Sequence, residues 1–234
     1  MKRHPAAAVA AALLVLVTSC GSSRTAGAQT TEQRPIAGVT AVRVLTSGDL
    51  TITAGSTQTL SVTAGANQLV GLTSQVIDGT LVLDIKTNNY PDGEVRYALT
   101  VPSLRSVELS GSGNATGVGV LTGNATVTVT GSGTATLTAL NLPAVVVDLT
   151  GSGDVELAGK AGTQRVTATG SGNYRGAGLV TKDTTVQSAG SGAVSVNVSG
   201  TLTAAVAGSG DVTYTGHPAQ IEKSSTGSGT IAPG

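Results

Sequence analysis

The tripeptide Gly-Ser-Gly occurs seven times in this chain of 234 residues, and its spacing constrains the fold more than any other feature. Successive copies begin 20, 20, 19, 20, 18 and 19 residues apart, at Gly111, Gly131, Gly151, Gly170, Gly190, Gly208 and Gly227. A period this regular is typical of stacked repeats, in which each repeat buries its apolar face against its neighbours. The sequence therefore predicts a repeating domain with about 20 residues per coil.

Apolar and polar residues alternate on both sides of each tripeptide. Around the third copy, Val147 and Leu149 precede the glycines, and Val155 and Leu157 follow them, with polar residues between. Alternation with period two indicates strands with one buried face, and glycine permits a tight corner because it can adopt positive φ. Stacking such repeats predicts an all-β parallel β-helix filled by small apolar side chains, which suits a chain without Phe or Trp.

The N-terminal segment differs from the repeats. A basic start precedes an apolar run at 6–17, which is shorter than the roughly 20 residues of a spanning helix and is typical of a secretory signal peptide. The run ends in Val-Thr-Ser-Cys, which resembles a bacterial lipobox. We therefore predict a lipoprotein signal peptide at 1–19, and a lipidated, palmitate-bearing Cys20 followed by a flexible tether within 20–35. The alternative is an ordinary signal peptide followed by a chance cysteine.

The β-helix domain is predicted to span 36–234, in two parts. Residues 36–105 alternate less regularly and are expected to form atypical coils at the start of the stack. Residues 106–231 form the regular Gly-Ser-Gly coils. Near the C terminus, Lys223 and Ser225 stand where earlier repeats have apolar residues. This substitution predicts a polar terminal coil that protects an open sheet edge.

Several segments, over roughly residues 38–215, resemble one protein family in the same order. They are Ser-Gly-Asp-Leu-Thr-Ile at 47–52, Asn-Gln-Leu at 67–69, Gly-Thr-Leu-Val-Leu at 79–83, Arg-Tyr-Ala-Leu-Thr-Val-Pro-Ser-Leu at 96–104 and Val-Glu-Leu-Ser-Gly-Ser-Gly at 107–113. The chain resembles the family named "putative auto-transporter adhesin, head GIN domain". This resemblance implies a right-handed parallel β-helix on a secreted or lipid-anchored bacterial protein, with adhesion as the suggested role. It supplies no catalytic residues.

The composition argues against several functional classes. Removing the leader leaves 11 basic and 13 acidic residues without a basic, aromatic-rich patch, so no nucleic-acid partner is expected. After cleavage, His217 is the only histidine and Cys20 the only cysteine, so neither a Ser–His catalytic pair nor a zinc site is predicted. An acid follows the tripeptide only at Asp154 and Asp211, too rarely for nonapeptide calcium repeats. We predict no metal and no cofactor.

Asp154 and Glu156 are the strongest candidate for a catalytic pair. Residues two apart on a strand lie roughly 6.5–7 Å from each other, a separation that glycosidases use. Asp211 is expected three coils from Asp154, roughly 14 Å away, and so cannot complete a pair. Arg175 is expected opposite Glu156 on the next coil. A surface ion pair between strands is therefore the simpler interpretation.

The remaining surface carries stacked hydroxyl groups. Thr130, Thr150 and Thr169 precede three corners, and a serine lies within each corner. These ladders suit weak multivalent contact with glycans, or serve only as solvated faces. We expect a non-enzymatic, adhesin-like lipoprotein, held by acylated Cys20 on the outer face of the bacterial membrane, that binds envelope polysaccharide or a protein partner. A carbohydrate-active enzyme using Asp154 and Glu156, and a structural spacer without a ligand, are the alternatives.

Overall fold

The computed structural model describes residues 27–86 and 93–234, which form a β-solenoid of about six turns with roughly 20 residues per turn. The predicted fold class is therefore confirmed, whereas the predicted signal peptide and Cys20 lie outside the described residues. The elements, in chain order, are β1 Gln29–Arg34, β2 Ala41–Val44, β3 Asp49–Ala54, β4 Thr59–Gly65, α1 Ala66–Leu69, β5 Leu72–Ile77, β6 Thr80–Ile85, β7 Arg96–Val101, β8 Leu104–Leu109, β9 Ala115–Val118, β10 Leu121–Val129, β11 Thr134–Gly151, β12 Asp154–Gly170, β13 Tyr174–Gly190, β14 Val194–Val198, β15 Thr201–Gly208, β16 Val212–Thr215, β17 Gln220–Gly227 and β18 Ile231–Pro233.

Each regular coil runs from one Gly-Ser-Gly corner to the next, and neighbouring coils pair in parallel. The pairing of β11 with β12 begins at Thr134, shifts between Leu137 and Leu140, and then continues to Gly151 opposite Gly170. The shift absorbs the one-residue difference between a 20-residue and a 19-residue repeat. Because the difference is absorbed between Leu137 and Leu140, away from the corners, the glycine corners of neighbouring coils remain in register.

The core consists of ladders of inward-facing apolar side chains. One ladder contains Val127, Val147, Val166, Val186 and Ala204, which the strand pairings place opposite one another and which are all buried. Complete burial of a valine side chain contributes on the order of 1.5–3 kcal/mol. The repeated ladders therefore supply the stabilisation that a single coil could not provide for itself.

The N-terminal coils do not stack in chain order. Strand β2 lies between β6 and β8, and β3 lies between β7 and β9, so the first coil is enclosed by two later ones. Beyond β7, the antiparallel strands β4 and β1 extend one side of the stack, and β5 pairs antiparallel with β6 on the other. The N-terminal coils are therefore less regular than the Gly-Ser-Gly coils that follow them.

Part of the predicted tether is a strand, so that prediction is wrong for residues 29–34. Strand β1 pairs antiparallel with β4, from Gln29 opposite Gly65 to Arg34 opposite Leu60. The Nη1 of Arg34 also donates a hydrogen bond to the Leu72 carbonyl oxygen at 2.8 Å. The segment carries no apolar alternation because its side chains are mostly exposed. Backbone pairing and one arginine hold it in place, and neither produces a hydrophobic pattern.

The C-terminal coil is polar, as predicted. All eight residues of β17 are exposed. The strand register places Lys223 beside Ala204, at the position where earlier coils have an inward-facing apolar residue. Its Nζ lies 4.6 Å from the centre of the Tyr214 ring and donates to the Tyr214 hydroxyl at 3.1 Å. Ser225 donates to the Gly229 carbonyl oxygen at 2.7 Å. Polar side chains therefore cover the last layer of the core.

Candidate functional site

The Gly-Ser-Gly corners stack so closely that both glycines are required. A Cβ atom on Gly131 would overlap the carbonyl oxygen of Gly111, and one on Gly133 would overlap that of Gly113. Positive φ explains only some of these positions, since Gly151 has φ +109° whereas Gly133 has no positive φ. Close approach between coils is the broader reason for the repeat. The sequence indicates this close approach, because the second glycine is present in all seven copies of the tripeptide.

The middle serines form an exposed line along this edge of the solenoid. Gly111 and Gly113 stack on Thr46 and Gly48, so Ser47-Gly48-Asp49 is an additional corner of the same stack. The line consists of Ser47, Ser112, Ser132, Ser152, Ser171, Ser191, Ser209 and Ser228, all of them exposed. Stacked strands place consecutive members about 4.8 Å apart.

Asparagine and aspartate residues after the corners connect neighbouring coils. Asp154 Oδ1 accepts hydrogen bonds from the backbone N and the Nδ2 of Asn173, both at 2.9 Å. Asn173 Oδ1 then accepts from the backbone N of Ala193 at 3.1 Å. Asp49 and Asn114 repeat the arrangement at the other end of the stack. These side chains support the stack, which explains their position without a bound ion.

The candidate catalytic carboxylates lie on the sheet that follows the corners. Arg175 Nη1 contacts Asp154 Oδ2 at 2.9 Å, although the strand register places Arg175 opposite Glu156. Partial burial raises the pKa of Asp154, but the hydrogen bonds from Asn173 and the Arg175 guanidinium outweigh it and hold the pKa below its usual value. A general acid would need a raised pKa instead. The expected surface ion pair is therefore present, with Asp154 as its acidic member.

A shallow depression lies on the sheet that precedes the corners. We call it the threonine trough, and its volume is about 360 Å³. Ala189, Ala205 and Ala207 form its floor, because their small side chains face outward between longer ones. The surrounding polar side chains are Thr167, Thr169, Gln187, Ser224 and Thr226. Among the described residues, none of the side chains that line the trough is charged.

The strand register explains how the threonine trough forms. Thr169, Ala189, Ala207 and Thr226 lie opposite one another on four successive coils. The threonine ladder that includes Thr150 and Thr169 therefore gives way to alanine for two coils and then resumes. Sequence analysis identified Thr169 but not Ala189 and Ala207. The interruption of the threonine ladder is the pattern that could have indicated these two alanines.

A second depression, of about 340 Å³, lies on the sheet that follows the corners, near the N-terminal end. It is lined by Asp49, Thr51, Arg96 and Asn114 among others. Arg96 pairs with Glu94 at 2.5 Å, and Asp49 Oδ1 accepts from Asn114. Its principal charges are therefore already engaged by neighbouring groups.

Neither a metal cluster nor a spanning helix is present in the part of the chain that the structure describes. Residues 27–86 and 93–234 contain no group of three or more His, Cys, Asp or Glu side chains able to hold a metal ion. Within the same ranges, no helix has both the length and the apolar character needed to cross a bilayer.

Comparison with known families identifies the repeat domain. The model of the family "putative auto-transporter adhesin, head GIN domain" matches residues 39–218. The chain belongs to this family. The match spans the irregular N-terminal coils as well as most of the regular ones, so the family includes both parts of the solenoid. No curated protein matches the chain.

Solved structures share the fold of this family member. A putative adhesin from Bacteroides fragilis NCTC 9343 has a TM-score of 0.79 and 24% identity, over 88% of this chain and 97% of its own. A putative lipid binding protein from Parabacteroides distasonis ATCC 8503 has a TM-score of 0.72 and 24% identity, over 89% and 97%. A putative adhesin from the same strain has a TM-score of 0.67 and 22% identity, over 89% and 98%. At these identities the likeness shows the fold alone.

Proposed function

We propose that this protein is a non-enzymatic binding module, held by acylated Cys20 on the outer face of a bacterial membrane, whose threonine trough binds neutral polysaccharide. The family to which the chain belongs is named for adhesion, and solved proteins of the same fold carry the same description. The uncharged, hydroxyl-lined trough is the single observation that carries the choice of ligand.

The chemistry of the trough suits sugars that bear no charge. Hydroxyls of Thr167 and Thr169 and the amide of Gln187 can donate and accept hydrogen bonds with sugar hydroxyls. The alanine methyl groups provide a flat apolar floor for the C–H face of a sugar ring. Small-molecule sites commonly combine apolar contact area with a few polar groups in this way.

The shape of the trough favours a polymer over a single sugar. It crosses β12, β13, β15 and β17, whose outer members lie roughly 14 Å apart at the usual strand spacing. The trough is open rather than enclosed by long loops, so each contact should be weak. Many copies anchored on one membrane would bind a long polysaccharide by multivalency.

The test of binding is retention on isolated cell-envelope polysaccharide. We expect saturable retention of the chain from Cys20 onward, with no new reducing ends. Ala205→Phe fills the trough and should weaken retention about tenfold, which is about 1.4 kcal/mol. Ala177→Phe adds the same group at an exposed position outside the trough and serves as the control. Equal retention of both variants would refute the assignment of the trough.

The same samples test the enzymatic alternative. New reducing ends would favour a carbohydrate-active enzyme, and their loss in the Asp154→Ala, Glu156→Ala double variant would assign that activity to this pair. An inert spacer predicts neither retention nor turnover. The anchor is tested separately by the mass of the N-terminal peptide, which should carry acyl chains on Cys20, whereas Cys20→Ser should release the protein from the membrane.

A further inference from the structure

The N-terminal end of the solenoid carries a concentration of exposed apolar side chains. Val70 is 86% exposed, Ile77 54% and Val76 36%. Among the described residues, seven large apolar side chains are notably exposed, and these three lie within eight consecutive positions. A single exposed valine is unremarkable, but three such side chains on the turn and the outer strand at one end of the stack indicate an end of the molecule that contacts something apolar.

This end is also where the chain enters the domain. The backbone N of Ala66, at the start of α1, donates to the carbonyl oxygen of Ala28 at 3.0 Å. Val70 caps the other end of the same four-residue helix. One helical turn therefore separates the point where the chain enters the domain from Val70, the most exposed large apolar side chain among the described residues.

The length of the preceding chain limits how far this end can lie from an anchor. Six residues lie between Cys20 and Gly27, and the seven steps from one Cα atom to the next span at most about 25 Å when fully extended. The stack is taller than this, because the nine stacked strands from β7 to β18 rise roughly 40 Å. With Cys20 in the bilayer, the N-terminal end is the closest part of the domain, and the C-terminal coil is remote.

Charge at this end is compatible with a lipid surface. Arg34 Nη2 pairs with Glu32 Oε2 at 3.1 Å and also donates to the Leu69 carbonyl oxygen at 3.1 Å. The backbone N of Lys86 donates to the Gly71 carbonyl oxygen at 2.9 Å, which places a basic residue beside the Val70 turn. An apolar side chain next to a lysine suits the boundary between acyl chains and lipid headgroups.

We infer that the N-terminal end of the solenoid rests on the bilayer, with Val70 inserted among the lipid headgroups and acyl-chain ends, so that the coils stand away from the membrane. This inference rests on the proposed acylation of Cys20. It gives the binding module an orientation, with the threonine trough raised along the side of the stack and the C-terminal coil outermost.

Single-tryptophan variants provide the test, since the natural chain contains no Trp and one Cys. The chain from Cys20 onward is coupled through that thiol to a maleimide-bearing lipid in phosphatidylcholine–phosphatidylglycerol vesicles. Val70→Trp reports on the N-terminal end, Val118→Trp on the side of the stack and Ile221→Trp on the C-terminal coil. Far-ultraviolet circular dichroism confirms that each variant retains the β fold.

We expect the Val70→Trp emission to shift to shorter wavelength and to be quenched by brominated acyl chains, while the other two variants remain unchanged. Quenching of Val118→Trp would show that the stack lies on its side, and absence of quenching at position 70 would show that this end does not touch lipid. Either result would overturn the inference. Because coupling through the thiol is chemical, a failure of natural acylation would appear only in the mass of Cys20 and would not affect this outcome.

Discussion

The two ends of the solenoid are closed by different means. At the N-terminal end, β1 and β4 add antiparallel strands beyond the last parallel coil, and α1 with Arg34 joins them to the hairpin formed by β5 and β6. At the C-terminal end, the polar side chains of Lys223 and Ser225 cover the last layer of the core. One end is closed by backbone pairing and the other by side-chain polarity.

This difference shows that a stack of coils presents two separate problems at its ends. An end leaves a row of unpaired backbone groups and an uncovered layer of apolar side chains. At the N-terminal end, additional antiparallel strands pair with the edge of the parallel coils, so that the unpaired edge belongs to the last added strand. At the C-terminal end, the last layer of the core is polar instead. We therefore expect the N-terminal closure to contribute more to stability, because it involves more buried contacts.

The largest expected effect comes from replacing Arg34. Arg34→Ala removes the donors that reach the partly buried carbonyl oxygens of Leu69 and Leu72. An unsatisfied acceptor costs about 1–3 kcal/mol when it is fully buried, and here two acceptors lose their donor. We expect the free energy of unfolding to fall by about 2–3 kcal/mol in denaturant titrations. Hydrogen exchange should increase in β1 and β5 and remain unchanged in β17.

Arg34→Lys is the matched variant for this prediction. Lysine keeps the charge beside Glu32 but cannot make the forked contacts of a guanidinium. It should recover only a small part of the lost stability. Complete recovery would mean that charge, rather than the contacts with α1 and β5, holds β1 in place.

Replacing Lys223 should have a smaller effect. Lys223→Met keeps the long side chain but removes the contact with the Tyr214 ring and the hydrogen bonds to the Tyr214 hydroxyl and the Ile231 carbonyl oxygen. We expect a loss of about 1 kcal/mol in denaturant titrations, since a partly exposed contact between a cation and an aromatic ring contributes about 0.5–1 kcal/mol.

The same variant tests whether the polar coil prevents association. Without the charge, the exposed β17 edge should pair more readily with another copy, and light scattering should detect oligomers at high concentration. Arg34→Ala serves as the comparison at the opposite end. A monomeric Lys223→Met at all concentrations would show that Lys223 stabilises the coil without protecting its edge.

The two ends also differ in how far the sequence predicts them. The polar terminal coil was predictable because Lys223 and Ser225 interrupt a ladder whose period the Gly-Ser-Gly copies define. Strand β1 was not, because a strand held by backbone pairing carries no hydrophobic alternation. The threonine trough was only partly predictable. Thr169 belongs to a visible ladder, but the floor depends on the alignment of Ala189 with Ala207, which requires the register of the coils.

A polar network inside the regular coils was equally hidden. Gln164 is buried and donates to the Tyr174 hydroxyl, while Thr184 donates to the Gln164 side-chain oxygen at 3.4 Å. Gly176 leaves room for the Tyr174 ring, since a Cβ atom there would overlap it. Burial raises the pKa of Tyr174 well above its usual value, and the bond from Gln164 offsets this only in part. Repeat periodicity identifies inward positions, but it does not say which polar side chains will meet there.

The smallest expected effect concerns acid and the last coil. The side-chain and backbone hydrogen bonds from Thr230 to Asp211 Oδ1, at 2.7 and 2.9 Å, hold the pKa of Asp211 below its usual value. A lowered pKa in the folded state means that this carboxylate stabilises the fold above its unfolded pKa, and that the contribution disappears as the pH falls through the folded pKa. Acidification below about pH 4 should therefore loosen β18 before the rest of the solenoid.

Asp211→Asn isolates this effect, because it keeps an oxygen acceptor for Thr230 and removes the titration. Amide exchange of Thr230 and Ile231, compared between pH 5 and pH 3 after correction for the intrinsic exchange rate, should increase in the natural chain and change less in the variant. Strand β4 provides the internal reference at the N-terminal end, since it contains no carboxylate. Equal acid loosening of β18 in both proteins would show that Asp211 does not control the C-terminal end.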